Sequence, residues 1–240
     1  MCEVVCGQKA HILGPEGHTL NREKCTVCGA CAAVCAEDAL EVVGYEIDEK
    51  ELIKFLSRDK AFYEETGGGV TFTGGEPMMQ AADLKRAAVL CVAEGIHVAV
   101  ETASLAPWKN FKKVDPCIDL FICDLKAVTG ELHKMGTGAD NRLILENLKK
   151  LMDIRADRMW VRIPLIAGFN DSEAEFSKIA EFLAGRGVAR VEIMPYHDVG
   201  ISKYGALGVG YPLKNDGIVE KNHIELLKKT LRDAGVEHVV

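Results

Sequence analysis

The sequence predicts an α/β fold in which strands of a parallel sheet alternate with helices, preceded by a small cysteine-rich unit. Three observations carry this expectation. Beyond residue 67, short β-branched and apolar runs alternate with longer stretches of helical periodicity. Polar side chains recur where those runs end, at Glu76, Glu101, Asp124 and His197, and barrel-type α/β folds place their sites at the C-terminal ends of strands. Six of the nine cysteines fall within the first 35 residues.

Bulk properties narrow the class. The 240 residues are 48% hydrophobic and 27% charged, enough for one sizeable α/β domain and a small appendage. A net charge of −7 argues against a nucleic-acid surface, which needs clustered Lys and Arg. No apolar run approaches the roughly 20 residues of a membrane span, and no signal peptide is visible. Cysteines at metal-ligand spacing point to a reducing cytoplasm rather than to disulfides. The expected division is residues 1–45 as a partial ferredoxin-type unit and residues 46–240 as the α/β domain.

In the first unit, Cys25-x2-Cys28-x2-Cys31-x3-Cys35 has the spacing of a bacterial-type ferredoxin run, in which three thiolates grip one [4Fe–4S] cluster and the fourth reaches another. Zinc is the weaker alternative, because its sites usually bring two separated pairs. Cys2-x3-Cys6 reads as the tail of a second run. The wiring that follows gives one cluster to Cys6, Cys25, Cys28 and Cys31, and leaves Cys2 and Cys35 as an incomplete second site. Proline, usual after the fourth cysteine, is replaced by Gly7 and Ala36. Ala10–Leu13 and Ala39–Val42 echo each other as short strands after each run, and His11 and His18 read as surface residues of the insert rather than as ligands. The chain therefore reads as starting midway through a two-cluster insert.

The α/β elements follow in order. Residues 49–58 form a moderately periodic helix. Gly67-Gly68-Gly69 leads into the strand Val70–Thr73, and Gly74-Gly75-Glu76-Pro77 follows it. Gly74 and Gly75 permit positive φ and close approach of a ligand to the backbone. Glu76 suits an ammonium, and the glycine N–H groups suit an oxygen; an amino acid derivative offers both. An ordinary tight turn is the alternative for this tripeptide. A helix over residues 78–94 ends at Gly95, and the strand Ile96–Val100 delivers Glu101, Thr102 and Ser104. The strand Leu120–Cys123 runs into Asp124-Leu125-Lys126. Asp124 and Lys126, two apart, share a face, as ligand groups or as a local ion pair. A helix begins near Asp140 or Asn141. In the strand Met159–Pro164, Arg162 needs a partner such as a ligand carboxylate. Gly168 to Ser172 is a turn and helix cap before residues 173–184. The strand Val191–Pro195 ends in Tyr196-His197. Gly200 to Pro212 reads as a mobile segment, and the last helix covers residues 219–234. Cys91, Cys117 and Cys123 read as small buried apolar residues.

These motifs together resemble the glycyl-radical-enzyme activating enzymes of the radical SAM superfamily, in particular the pyruvate formate-lyase activating enzyme and the subgroup with a ferredoxin-like insert. The resemblance rests on Gly67-Gly68-Gly69-Val70-Thr71, Gly74-Gly75-Glu76-Pro77, Asp124-Leu125-Lys126, Arg162-Ile163-Pro164, and Tyr196-His197 with Gly200 and Lys203-Tyr204. It implies a partial (β/α)6 TIM-like barrel whose first strand is missing. It implies S-adenosylmethionine and [4Fe–4S] as cofactors, with Gly75 and Glu76 meeting the methionine amino group. The implied cofactor-binding set is Gly74, Gly75, Glu76, Glu101, Asp124, Leu125, Lys126, Arg162 and His197. The implied partners are a glycyl radical enzyme and, as electron donor, ferredoxin or flavodoxin. The family's C-x3-C-x2-C loop does not occur in these 240 residues, so no catalytic residue is assigned, and the chain is expected to be an inactive, N-terminally truncated piece. The competing expectations are an iron–sulfur electron carrier and a cofactor-binding remnant without turnover.

Overall fold

A computed structural model describes residues 1–15, 17–211, 213 and 217–240. The chain divides into two compact units, Met1–Asp48 and Glu49–Val240.

The first unit holds a short helix α1 (Cys2–Val5), an antiparallel hairpin of β1 (His11–Gly14) and β2 (Gly17–Leu20), and a single helical turn α2 (Ala30–Ala33). Among its described residues only Ala10 and His11 are buried. A unit of this size with so little apolar core depends on something other than hydrophobic burial, and metal ligation is the usual substitute. His11 departs from the surface position expected of it. Ala39–Val42 is not a strand: a strand needs a ladder partner, and among the described residues this segment pairs with none.

The second unit begins with α3 (Glu49–Leu56) and α4 (Lys60–Thr66). Gly67 closes α4 at φ +67, a left-handed cap that glycine adopts without penalty. Five parallel strands follow: β3 (Gly69–Phe72), β4 (His97–Thr102), β5 (Leu120–Asp124), β6 (Met159–Leu165) and β7 (Arg190–Pro195), each hydrogen-bonded to the next in sequence order. Between them lie α5 (Ala81–Ala93), α6 (Trp108–Val114), α7 (Gly130–Thr137) with α8 (Arg142–Arg155), and α9 (Glu173–Leu183). A doubly wound sheet reverses its strand order. Here every crossover advances one strand the same way, which with uniform handedness sets the helices on one face and gives a partial TIM-like barrel. Gly69 is obligatory, since a Cβ there would stand 2.0 Å from the His97 carbonyl oxygen on the neighbouring strand.

Burial alternates along the strands. In β6, Met159, Val161, Ile163 and Leu165 are buried, while Trp160, Arg162 and Pro164 are partly exposed. The buried set packs against Phe176, Ile179 and Leu183 of α9 and Leu148 and Leu151 of α8 in the main core. After β7 come α10 (Ile201–Leu207) and α11 (Lys221–Asp233). Within Gly200 to Pro212, the segment expected to be mobile, Ile201–Leu207 form α10; Pro212 itself lies outside the described residues. The chain's end returns to β7, where Val191 bridges Val239 in parallel and Val240 N–H donates to Val191, covering that edge. Among the described residues, no helix is long and apolar enough to cross a membrane.

Candidate functional site

Parallel strands buried on both faces read as continuous apolar runs. These do not, because the face away from the helices carries Glu101, Asp124, Arg162 and Glu192. Strand register explains the convergence: Asp124 pairs with Arg162, and Arg162 pairs with Glu192. Arg162 Nη1 donates to Glu101 at 3.1 Å and its Nε to Glu192 at 3.0 Å, so one guanidinium ties β4, β6 and β7. Arg190 donates to the other oxygen of Glu192 at 2.8 Å and lies over the Trp160 ring. Lys126 and Asp124 form an ion pair at 2.7 Å. Arg162 is therefore partnered from within the protein, by Glu101 and by Glu192. Glu192 was findable only through cross-strand register, since locally it is one polar residue in an alternating strand.

Glu76 sits just past β3 with its carboxylate fixed by three donors. Thr102 hydroxyl donates to Oε1 at 2.6 Å, Met78 N–H to Oε1 at 3.0 Å, and Ala103 N–H to Oε2 at 3.0 Å. A carboxylate has about four acceptor positions, so capacity remains for an incoming ammonium. Gly74 adopts φ +140, a conformation closed to other residues. A cavity of about 260 Å³ is lined by Glu101, Asp124, Arg162, Tyr196 and His197, and a second of about 290 Å³ adjoins it through Tyr196 and His197. Leu125 stands apart from the expected set. Its side chain is 1% exposed and belongs to the core, because it alternates to the face opposite its two charged neighbours.

Buried asparagines clip the loops that carry these groups. Asn170 donates to the carbonyls of Lys126 and Pro164, both at 2.7 Å, and accepts from Ile166 N–H at 3.0 Å. Asn147 donates to the carbonyls of Ser104 and Ala106, and Asn141 to those of Ala127 and Val128. Asn170→Ala is expected to cost about 2 kcal/mol, read as a lower urea midpoint at unchanged slope, because it strands buried backbone groups.

The first unit offers the second candidate centre. Cys6, Cys25, Cys28 and Cys31 line one cavity of about 110 Å³, whose walls do not include Cys2 or Cys35. Tetrahedral zinc at about 2.3 Å from each thiolate would set sulfurs about 3.8 Å apart. Among the described residues these four thiols form no group converging within 4.8 Å. Ala10 N–H donates to Cys6 Sγ and Val27 N–H to Cys25 Sγ, both at 3.4 Å, the kind of bond that tunes a cluster's sulfurs. The Ala10 N–H also draws the Cys6 thiol below the usual cysteine range. No cysteine is in a disulfide. Cys91 and Cys123 are fully buried, and burial pushes the Cys123 thiol up to about 12; Cys117 is half-buried.

A sequence profile for the Radical SAM superfamily matches residues 22–183. The trans-4-hydroxy-L-proline dehydratase activating enzyme of Clostridioides difficile is 39% identical over 216 residues, 77% of this chain and 71% of that protein. The (2S)-3-sulfopropanediol dehydratase activating enzyme of Klebsiella oxytoca is 32% identical over 100% of this chain and 78% of its own length. Among solved structures, a domain of the pyruvate-formate lyase-activating enzyme from Bacteroides vulgatus matches with a TM-score of 0.60 and 30% identity, over 72% of this chain and 98% of that one.

Proposed function

The chain belongs to the radical SAM superfamily, among relatives that are glycyl-radical-enzyme activating enzymes, and from that premise we propose that it holds S-adenosylmethionine and presents it to a glycine loop of a partner glycyl radical enzyme. When bound, that cofactor, reduced through a [4Fe–4S] cluster, supplies a 5′-deoxyadenosyl radical that takes a hydrogen atom from a backbone glycine. The observation carrying the proposal is the gathering of Glu76, Glu101, Asp124, Lys126, Arg162 and Glu192 at one end of the sheet.

Charge supports this ligand. Four carboxylates (Glu76, Glu101, Asp124 and Glu192) stand against three cations (Lys126, Arg162 and Arg190). One negative charge is left over, which suits a ligand bearing sulfonium and ammonium against one carboxylate. Glu76, already oriented by Thr102 and Ala103, would accept from the ammonium. Lys126 and Arg162 have donors beyond those used in their ion pairs and would meet the ligand carboxylate. Tyr196 and His197, on the segment leaving β7, join the two cavities and would face the glycine loop. None of these residues is assigned as a ligand of the cluster that reduces the cofactor. In the first unit, Cys6, Cys25, Cys28 and Cys31 would hold a [4Fe–4S] cluster that passes electrons from a ferredoxin or flavodoxin.

Calorimetry with S-adenosylmethionine on anaerobically reconstituted protein tests the reading. Wild-type protein is expected to bind, and Glu76→Gln to bind at least about tenfold more weakly, since a charge-assisted hydrogen bond becomes a neutral one. Absence of binding by the wild type, or equal affinity in the variant, would overturn it. Cluster signals without any affinity would point instead to an electron carrier.

A further inference from the structure

We propose that Ser104 is a positioning residue for Glu76, and that it acts through a strained main chain rather than through its hydroxyl. The proposal rests on the reading of Glu76 as acceptor for the ligand ammonium. Ser104 stands two residues past β4 at φ +60, in the left-handed region that is costly for any residue with a Cβ. Among the described residues other than glycine, five adopt a positive φ; Ser104 is fully buried and the other four are exposed. Strain in a buried place persists only where the surroundings impose it. Two hydrogen bonds impose it here. The Ser104 N–H donates to Thr102 Oγ1 at 2.9 Å, and the Ser104 carbonyl accepts from Asn147 Nδ2 of α8 at 2.9 Å.

The first of these bonds reaches the site. A hydroxyl carries one hydrogen and two lone pairs. Thr102 gives its hydrogen to Glu76 Oε1 at 2.6 Å, and the same oxygen takes the Ser104 N–H on a lone pair. Ser104, Thr102 and Glu76 thus form one polarised chain of hydrogen bonds. In the same turn, Ala103 N–H meets Glu76 Oε2 at 3.0 Å. Both carboxylate oxygens are held from residues 102–104, and a turn that relaxed at Ser104 would release the grip. The Ser104 side chain takes no part in this. Its hydroxyl is buried, makes no hydrogen bond of regular geometry, and lies beside the Cys123 thiol. A buried hydroxyl without a partner is a cost, so alanine forfeits nothing there. Glycine adopts the same φ without strain. A β-branched residue tolerates that φ least, and it would drive the turn to relax and draw the N–H away from Thr102.

The test is calorimetry with S-adenosylmethionine on the anaerobically reconstituted full chain, with a urea midpoint for each variant. Ser104→Gly and Ser104→Ala are expected to bind within about threefold of wild type, and Ser104→Val at least about tenfold more weakly. In a Glu76→Gln background, Ser104→Val should weaken binding by less than about twofold more, because a residue acting through Glu76 loses its effect once that carboxylate is gone. A general loosening of the fold would weaken both backgrounds alike. Thr102→Val cuts the same chain at its other link while leaving Ser104 in place. It should weaken binding at least as much, which keeps the proposal open to refutation if Ser104→Val does not fold. Lost affinity in Ser104→Ala would assign the role to the hydroxyl and overturn the proposal. So would wild-type affinity in Ser104→Val or Thr102→Val, or an undiminished effect of Ser104→Val beside Glu76→Gln. No binding by the wild type would overturn the reading of Glu76 as well.

Discussion

Anaerobically reconstituted Cys28→Ala protein is expected to hold almost no iron, whereas Cys35→Ala protein keeps about four irons per chain. The two cysteines sit seven residues apart in one motif, and without the structure they look equivalent. They are not equivalent in space. Cys28 lines the cavity with Cys6, Cys25 and Cys31, and Cys35 does not. The Cys35 thiol instead accepts from Ala39 N–H at 3.2 Å. A [4Fe–4S] cube deprived of one of four thiolates is exposed to solvent at an iron and disassembles, while loss of a thiol outside the shell leaves the cube alone. Iron analysis with the visible absorption of the cluster decides it, and equal loss from both variants would count against the four-residue shell.

Arg162→Met should be the most damaging single change in the larger unit. The expected effects are a loss of about 3 kcal/mol of stability, within the range for breaking an ion pair taken out of water, and a drop of at least about a hundredfold in affinity for S-adenosylmethionine. Methionine keeps the volume and removes the charge. Glu101 and Glu192 are then left without the guanidinium that joins them across β5 and β6, and both side chains are mostly sequestered, at 35% and 19% exposure. A urea midpoint measured beside calorimetry separates the two effects. Arg162→Lys should recover part of the stability but little of the affinity, because an ammonium is a point charge and cannot serve two carboxylates with a fixed fork. Affinity within a few fold of wild type in Arg162→Met would remove this residue from the binding site.

How much of this could be read before the coordinates depended on the range of the interactions. Strands such as Ile96–Val100 and helices such as residues 173–184 are local patterns of residue type and period, and they appear within a residue or two of where they were expected. The positive φ at Gly74 was legible for the same reason. What failed was non-local. Ala39–Val42 looked like a strand because its composition is right, but a strand also needs a neighbour. Arg162 was expected to need a partner, and two of them, Glu101 and Glu192, stand 61 and 30 residues away in the chain, beyond the reach of any local pattern. His11 was read as a surface residue because nothing in its own stretch announces that the hairpin stacks it on His18.

The three asparagine clips have a thermodynamic corollary. Asn141, Asn147 and Asn170 fasten the outgoing turns of β4, β5 and β6 through main-chain carbonyls, with all three side chains buried. Segments already frozen in the free protein surrender little conformational freedom when a small molecule arrives. Occupancy of the mouth would thus draw on contact and charge alone, and the entropic toll would fall mainly on whatever the Tyr196–His197 segment must rearrange to admit a second polypeptide.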